Sequence, residues 1–139
     1  YVGGDERVKG YFNALSNAGI IADNDLVLLN WENSPEIIKE KIISKKADAV
    51  IGIARQAETV WHALSRLYKD NHLNIPFIAY DDVNWVKMLD ISAVAHSLDK
   101  IAEYIVEYII SRNKNNSEKL YKKIVKPFLI KRSSTNFSN

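Results

Sequence analysis

The chain has 139 residues, 47% of them hydrophobic and 26% charged, which is the composition of a folded domain and not of a disordered segment. It has no cysteine, so disulfides, zinc–thiolate sites and cysteine nucleophiles are excluded and a reducing compartment is permitted. With 19 Lys and Arg against 17 Asp and Glu, the net charge of +2 is too even to argue for a nucleic-acid-binding surface.

The apolar runs are short, as in Leu26-Val27-Leu28-Leu29 and Val50-Ile51, far below the roughly 20 residues needed to span a bilayer. The chain opens on Tyr1 and not on methionine, and is therefore expected to be a piece of a longer protein.

In chain order, Gly3-Gly4 precede a helical pattern with Val8, Tyr11, Phe12, Leu15 and Ala18 on one face, Asp5 placed to cap it and Gly19 to end it. Leu26-Val27-Leu28-Leu29 reads as a strand, followed by Asn30 and Trp31. Ser34-Pro35-Glu36 has the form of a helix start: a capping hydroxyl, proline in the first turn and an acid near the positive end of the dipole. That helix is expected to bury Ile38 and Ile42, together with Ile37 and Ile43, and to end near Lys45-Lys46.

A second strand covers residues 49–53, and a helix with Val60, Trp61, Leu64, Leu67 and Tyr68 at helical spacing follows. Trp61 falls on that apolar stripe and is read as core or subunit interface. After Asn74-Ile75-Pro76 come a strand at 77–80, closed by Asp81-Asp82, and a short strand at 93–95. A long helix then shows Leu98, Ile101, Ala102, Ile105 and Ile109. Residues 113–117 read as a polar linker, and 119–130 as one or two strands whose lysines form a solvated edge.

Helices between continuously apolar strands imply βαβ units. The expected fold class is therefore α/β: a four- or five-stranded, mostly parallel open sheet with helices on both faces, the strands at 26–29, 50–53 and 77–80 adjacent and central. Such sheets bind ligands outside the carboxyl ends of their strands. That edge holds Asn30 and Trp31, then Arg55 and Gln56, then Asp81, Asp82, Asn84 and Trp85, then His96. Carboxylates, amides, a guanidinium and indoles together suit a polyol, whose hydroxyls take bidentate hydrogen bonds and whose ring face packs on an aromatic. Adjacent residues leaving a strand point in different directions, so at most one of Asp81 and Asp82 is expected to face a ligand.

Three segments and one tryptophan, in register, resemble the lactose-repressor/galactose-repressor family of transcriptional regulators. Glu6-Arg7-Val8-Lys9-Gly10-Tyr11 is similar to the Arg-x-x-Gly-aromatic opening of that family's C-terminal subdomain. Residues 74–82, Asn-Ile-Pro-Phe-Ile-Ala-Tyr-Asp-Asp, resemble its Ile-Pro and strand ending in Gly-aromatic-Asp-Asp, and Trp85 sits where one subset carries tryptophan. Residues 129–135, Leu-Ile-Lys-Arg-Ser-Ser-Thr, are similar to its closing Leu-x-x-Arg-x-Ser-Thr.

The resemblance implies a periplasmic-binding-protein-like, Rossmann-like subdomain: residues 1–139 would be the C-terminal part of an effector-binding domain, with 97–118 crossing to a companion subdomain. It implies a cytoplasmic homodimer that senses a sugar or sugar derivative and reaches DNA only through a helix-turn-helix outside this chain, with no cofactor, metal, catalysis or membrane involved. It gives Arg7 and Asp81 effector contacts, and puts His96 where members carry a glutamine that reaches the effector. The helix from Ala57 to Tyr68 resembles the family's subunit interface, and the helix beginning at Leu98 would expose an apolar stripe and take either an intermolecular contact or disorder around 97–118.

The chain departs from the family at residues 53–59. Of the usual Asn-Asp-x-x-Ala-x-Gly only Ala57 remains in Ile53-Ala54-Arg55-Gln56-Ala57-Glu58-Thr59, and Asp90-Ile91-Ser92 replaces Pro-Leu-Thr. Arg55 and Gln56 are therefore further candidate ligand residues, and arginine at this place makes a phosphorylated ligand an alternative to a neutral sugar. A solute-binding protein for carbohydrate uptake shares the expected fold. A small α/β enzyme is the remaining alternative, but the sequence has no nucleophile elbow, no convincing serine–histidine–acid set and no glycine-rich phosphate cradle. His62 and His72 lack the spacing of a metal site.

Overall fold

A computed structural model describes residues 2–28, 34–53, 55–71, 75–115 and 121–136. They belong to two compact units, residues 1–47 and 48–139.

In the first unit, α1 (Val2–Asn17) starts ahead of Asp5, so Asp5 lies inside the helix and does not cap it. Its stripe of Val8, Tyr11, Phe12 and Leu15 is half-buried, with the Tyr11 and Phe12 rings edge to face at 5.5 Å. The helix stops as expected at Gly19, whose φ of +69° suits glycine. The Gly19 amide donates to the Ser16 carbonyl and the Ile20 amide to Leu15, the paired bonds that close a helix over a left-handed residue.

The strand expected at 26–29 does not form over the described part, 26–28, and Leu29, Asn30 and Trp31 lie outside the described residues. The competing element is a 3-10 turn, Asn24–Leu26, capped by Asp23, whose carboxylate accepts from the Asp25 amide at 2.9 Å. Lys45 donates to Asp25 at 2.8 Å and to Asp23 at 3.1 Å, tying this turn to the end of the next helix. The Asp25 amide and Lys45 hold the Asp23 carboxyl below its usual range, and Lys45 does the same for Asp25.

That helix, α2 (Pro35–Ser44), starts at the expected cap: Ser34 Oγ accepts from the Ile37 amide at 3.4 Å, with proline in the first turn. Ile38 and Ile42 are buried one turn apart, whereas Ile37 and Ile43, on its other side, are about half exposed.

The second unit is an α/β layer. Strands β1 (Val50–Gly52), β2 (Phe77–Tyr80), β3 (Ser92–Ala95) and β4 (Phe128–Ile130) form a four-stranded sheet in the order β1-β2-β3-β4. The first three run parallel and β4 is antiparallel to β3, so the sheet is open and mostly parallel. The pairing of β1 with β2 is as expected, but with no strand at 26–28 β1 is the terminal strand of the described sheet and not a central one. Of the strands expected over 119–130, residues 121–127 are not strand and only β4 is.

The register places Phe77, Ala79 and Ala93 on one face, all fully buried, with α3 (Gln56–Asn71) against β1 and β2. Leu64 and Leu67 of α3 are fully buried, and burying a side chain such as these or Phe77 contributes roughly 1.5–3 kcal/mol. Gly52 permits the close approach: a Cβ there would fall 2.7 Å from the Ala57 Cα and 2.9 Å from the Phe77 ring. Trp61 packs on Phe77 at 5.7 Å and Tyr68 at 6.0 Å, which places it at the margin of this core. On the opposite face of the sheet Ile51 and Leu129 are each about half exposed.

Two further helices are α4 (Asn84–Met88), a short element that the sequence pattern does not signal, and α5 (Leu98–Asn115). α5 is helical over 98–115, as its apolar spacing implies, and it runs into the segment read as a linker; 116–118 lie outside the described residues. Tyr121 stacks on Tyr108 at 5.3 Å, and Lys123 lies 5.2 Å from the Tyr104 ring, so the segment before β4 packs back along one side of α5. Leu98, Ile105, Val106, Ile109 and Ile110 are about half or more exposed.

Candidate functional site

The carboxyl ends of β1 and β2 open onto a cleft of about 370 Å³ lined by Arg55, Glu58, Tyr80, Asp81, Val83 and Trp85. Its volume is in the range of small-molecule sites. Two connections build it. After β1 the chain turns into α3, which puts Arg55 just before the helix and Glu58 in its first turn. After β2 the chain passes through Asp81 and Val83 into α4, which carries Trp85.

Asp81 has φ of +79°, a left-handed conformation that aspartate tolerates better than most residues, and its amide donates to the Val94 carbonyl of β3 at 3.0 Å. The two adjacent carboxylates take different partners. Asp81 lines the cleft, while Asp82 accepts both arms of the Arg132 guanidinium, at 2.7 Å from Nη1 and 3.0 Å from Nη2. Nη1 also donates to the Ile91 carbonyl at 2.6 Å, and Lys87 Nζ stands 3.9 Å from Asp82. The Asp82 carboxylate beside Arg132 keeps its guanidinium charged beyond even the ordinary range for arginine.

Arg132 belongs to a clasp formed by the last described segment. Ser92, fully buried on β3, donates its amide to Ser134 Oγ at 2.8 Å, and its hydroxyl accepts from the Arg132 amide at 2.8 Å and meets Thr135 Oγ1 at 2.7 Å. Ser134 Oγ donates in turn to the Phe77 carbonyl at 2.7 Å. The Arg-x-Ser-Thr ending thus satisfies buried polar groups of β2 and β3 and fixes the turn after β2, a role that sequence reading did not assign. A basic residue and hydroxyls near a chain end carry no sign of their partners, which lie some forty positions earlier.

Among the residues singled out from sequence, Arg55, Asp81 and Trp85 meet in the cleft. Gln56 begins α3 and His96 follows β3, both beside the same sheet edge but outside the cleft lining. Arg7 lies on α1 in the first unit. Glu58, Tyr80 and Val83 line the cleft without having been foreseen: Glu58 faces it because α3 begins at the mouth, and Tyr80 because β2 ends there. Among the described residues no group of three or more metal-binding side chains occurs.

The fold and cleft define an open α/β layer with a small-molecule-sized recess at the carboxyl edge of its parallel strands. No protein-family model, no curated protein and no solved structure matches the chain.

Proposed function

We propose that this chain is the effector-sensing part of a transcriptional regulator of the lactose-repressor/galactose-repressor type, with a periplasmic-binding-protein-like fold, and that its effector is a small polyol held in the cleft. The observation that carries the reading is the meeting of Arg55, Asp81 and Trp85 at the carboxyl ends of β1 and β2. A carboxylate and a guanidinium serve vicinal hydroxyls, and an indole covers the apolar face of a sugar ring. Arg7 and His96 are assigned effector contacts on the resemblance alone.

The test is a thermal-shift screen of the whole protein against sugars and sugar phosphates, repeated on Asp81→Ala, Arg55→Ala and Arg7→Ala. Loss of one hydrogen bond to a charged group weakens binding about tenfold or more. A ligand bound equally well by the Asp81 and Arg55 variants removes the cleft assignment.

The same reading makes the whole protein a cytoplasmic homodimer that reaches DNA only through a helix-turn-helix outside these residues. Supporting self-association, Leu98, Ile105, Val106, Ile109 and Ile110 of α5 are about half or more exposed, and contiguous exposed apolar side chains mark interaction surfaces. Among the described residues no helix is long and apolar enough to cross a membrane. Light scattering on the whole protein should give twice the protomer mass, and a monomer at high concentration contradicts this part of the proposal.

A further inference from the structure

We infer that the ligand of this cleft carries a protonated amine beside its hydroxyls, as an amino sugar does; the inference rests on the reading of the cleft as the effector site. The lining holds one guanidinium, Arg55, against two carboxylates, Glu58 and Asp81, so its formal charge is negative in a chain whose net charge is positive. Glu58 follows Arg55 by one turn at the start of α3, a spacing at which the two often pair. Among the described residues, however, no hydrogen bond or ion pair engages the side chain of Arg55, Glu58 or Asp81. Arg132 and Lys87 face the neighbouring carboxylate, Asp82, at 2.7 and 3.9 Å.

These charges discriminate among ligands. A phosphorylated sugar brings a third negative group toward two carboxylates that, in the lining, only Arg55 offsets. A neutral sugar can donate hydroxyls to both carboxylates but must strip water from two charges without supplying a countercharge. An ammonium group supplies that charge, and three donors to share between Glu58 and Asp81. Trp85 and Tyr80 line the same recess, and the faces of such rings attract cations. Arg55 remains to donate to hydroxyl or ring oxygens, which are acceptors and do not compete with the amine.

Calorimetric titration of the whole protein with matched sugar trios tests this. Each trio holds the 2-amino-2-deoxyhexose, the parent hexose and the hexose 6-phosphate, in the gluco, galacto and manno configurations. In a trio that binds, the amino sugar should bind at least tenfold more tightly than the parent, and the phosphate more weakly than the parent. Unspecific attraction to a net positive chain would favour the phosphate, so it cannot produce this order. Glu58→Gln, on an exposed residue whose loss the fold should survive, should shrink the amine's advantage to threefold or less. A parent hexose or phosphate that binds as tightly as the amine overturns the inference; if Asp81→Ala still weakens that binding, the cleft assignment stands. An amine preference that Glu58→Gln and Asp81→Asn both leave intact also overturns it. Binding of no member of any trio overturns both the inference and the sugar-site reading.

Discussion

Replacing Arg132 by alanine removes three hydrogen bonds at once: two to the Asp82 carboxylate and one to the Ile91 carbonyl. The Arg132 and Asp82 side chains are 16% and 13% exposed, so solvent screens the pair only in part. Breaking a fully buried pair costs about 3–5 kcal/mol, whereas an exposed pair contributes about 1 kcal/mol or less. The burial here is nearer the first case, and among the described residues the variant leaves Asp82 only the more distant Lys87, so about 2–4 kcal/mol is expected. For a domain of this size that lowers the melting temperature by about 6–15 °C. Arg132→Lys keeps a charge but cannot make two parallel bonds to one carboxylate, and should recover less than half of the loss. Urea denaturation of Arg132→Ala, Asp82→Ala and the double variant gives a coupling energy free of each residue's separate effects, expected at about 1–3 kcal/mol. A coupling below about 0.5 kcal/mol, or Arg132→Ala as stable as the parent protein, would refute the view that this clasp holds the turn after β2.

Gly52→Ala should cost about 1–3 kcal/mol by urea denaturation, because its methyl group would meet the Ala57 backbone at 2.7 Å and the buried Phe77 ring at 2.9 Å. Asp81→Gly should stay within about 1 kcal/mol of the parent stability, or exceed it, since glycine adopts φ of +79° without strain; under the proposed function it should also lose effector binding with the carboxylate. Tyr68 donates its hydroxyl to the Ile75 carbonyl, and burial pushes its phenol up to about 12 from an ordinary value of 10. The folded state thus favours the protonated phenol: its contribution is complete below pH 10 and is lost as the pH rises from about 10 to 12. Tyr68→Phe should cost about 1 kcal/mol at neutral pH and flatten stability curves measured through that alkaline window.

Local chemistry in the sequence determined the elements whose causes are themselves local. Ser34 and Pro35 start α2, Gly19 ends α1, and the uninterrupted apolar runs before Gly52 and Tyr80 become parallel strands, because each depends on a few neighbouring residues and their backbone preferences. The edge that carries the candidate cleft was legible for the same reason: once β1 and β2 are placed, topology puts Arg55 and Asp81 at their carboxyl ends. Tertiary structure decided what depends on a partner. An apolar run at 26–28 is strand only if another strand pairs with it, and there the turn capped by Asp23 prevails. Whether Glu58 faces the recess, whether Gln56 and His96 do not, and which carboxylate of Asp81-Asp82 is committed to Arg132 all follow from how α3, α4 and the closing segment pack on the sheet. Those contacts join residues up to 57 positions apart, and hydrophobic periodicity has no term for them.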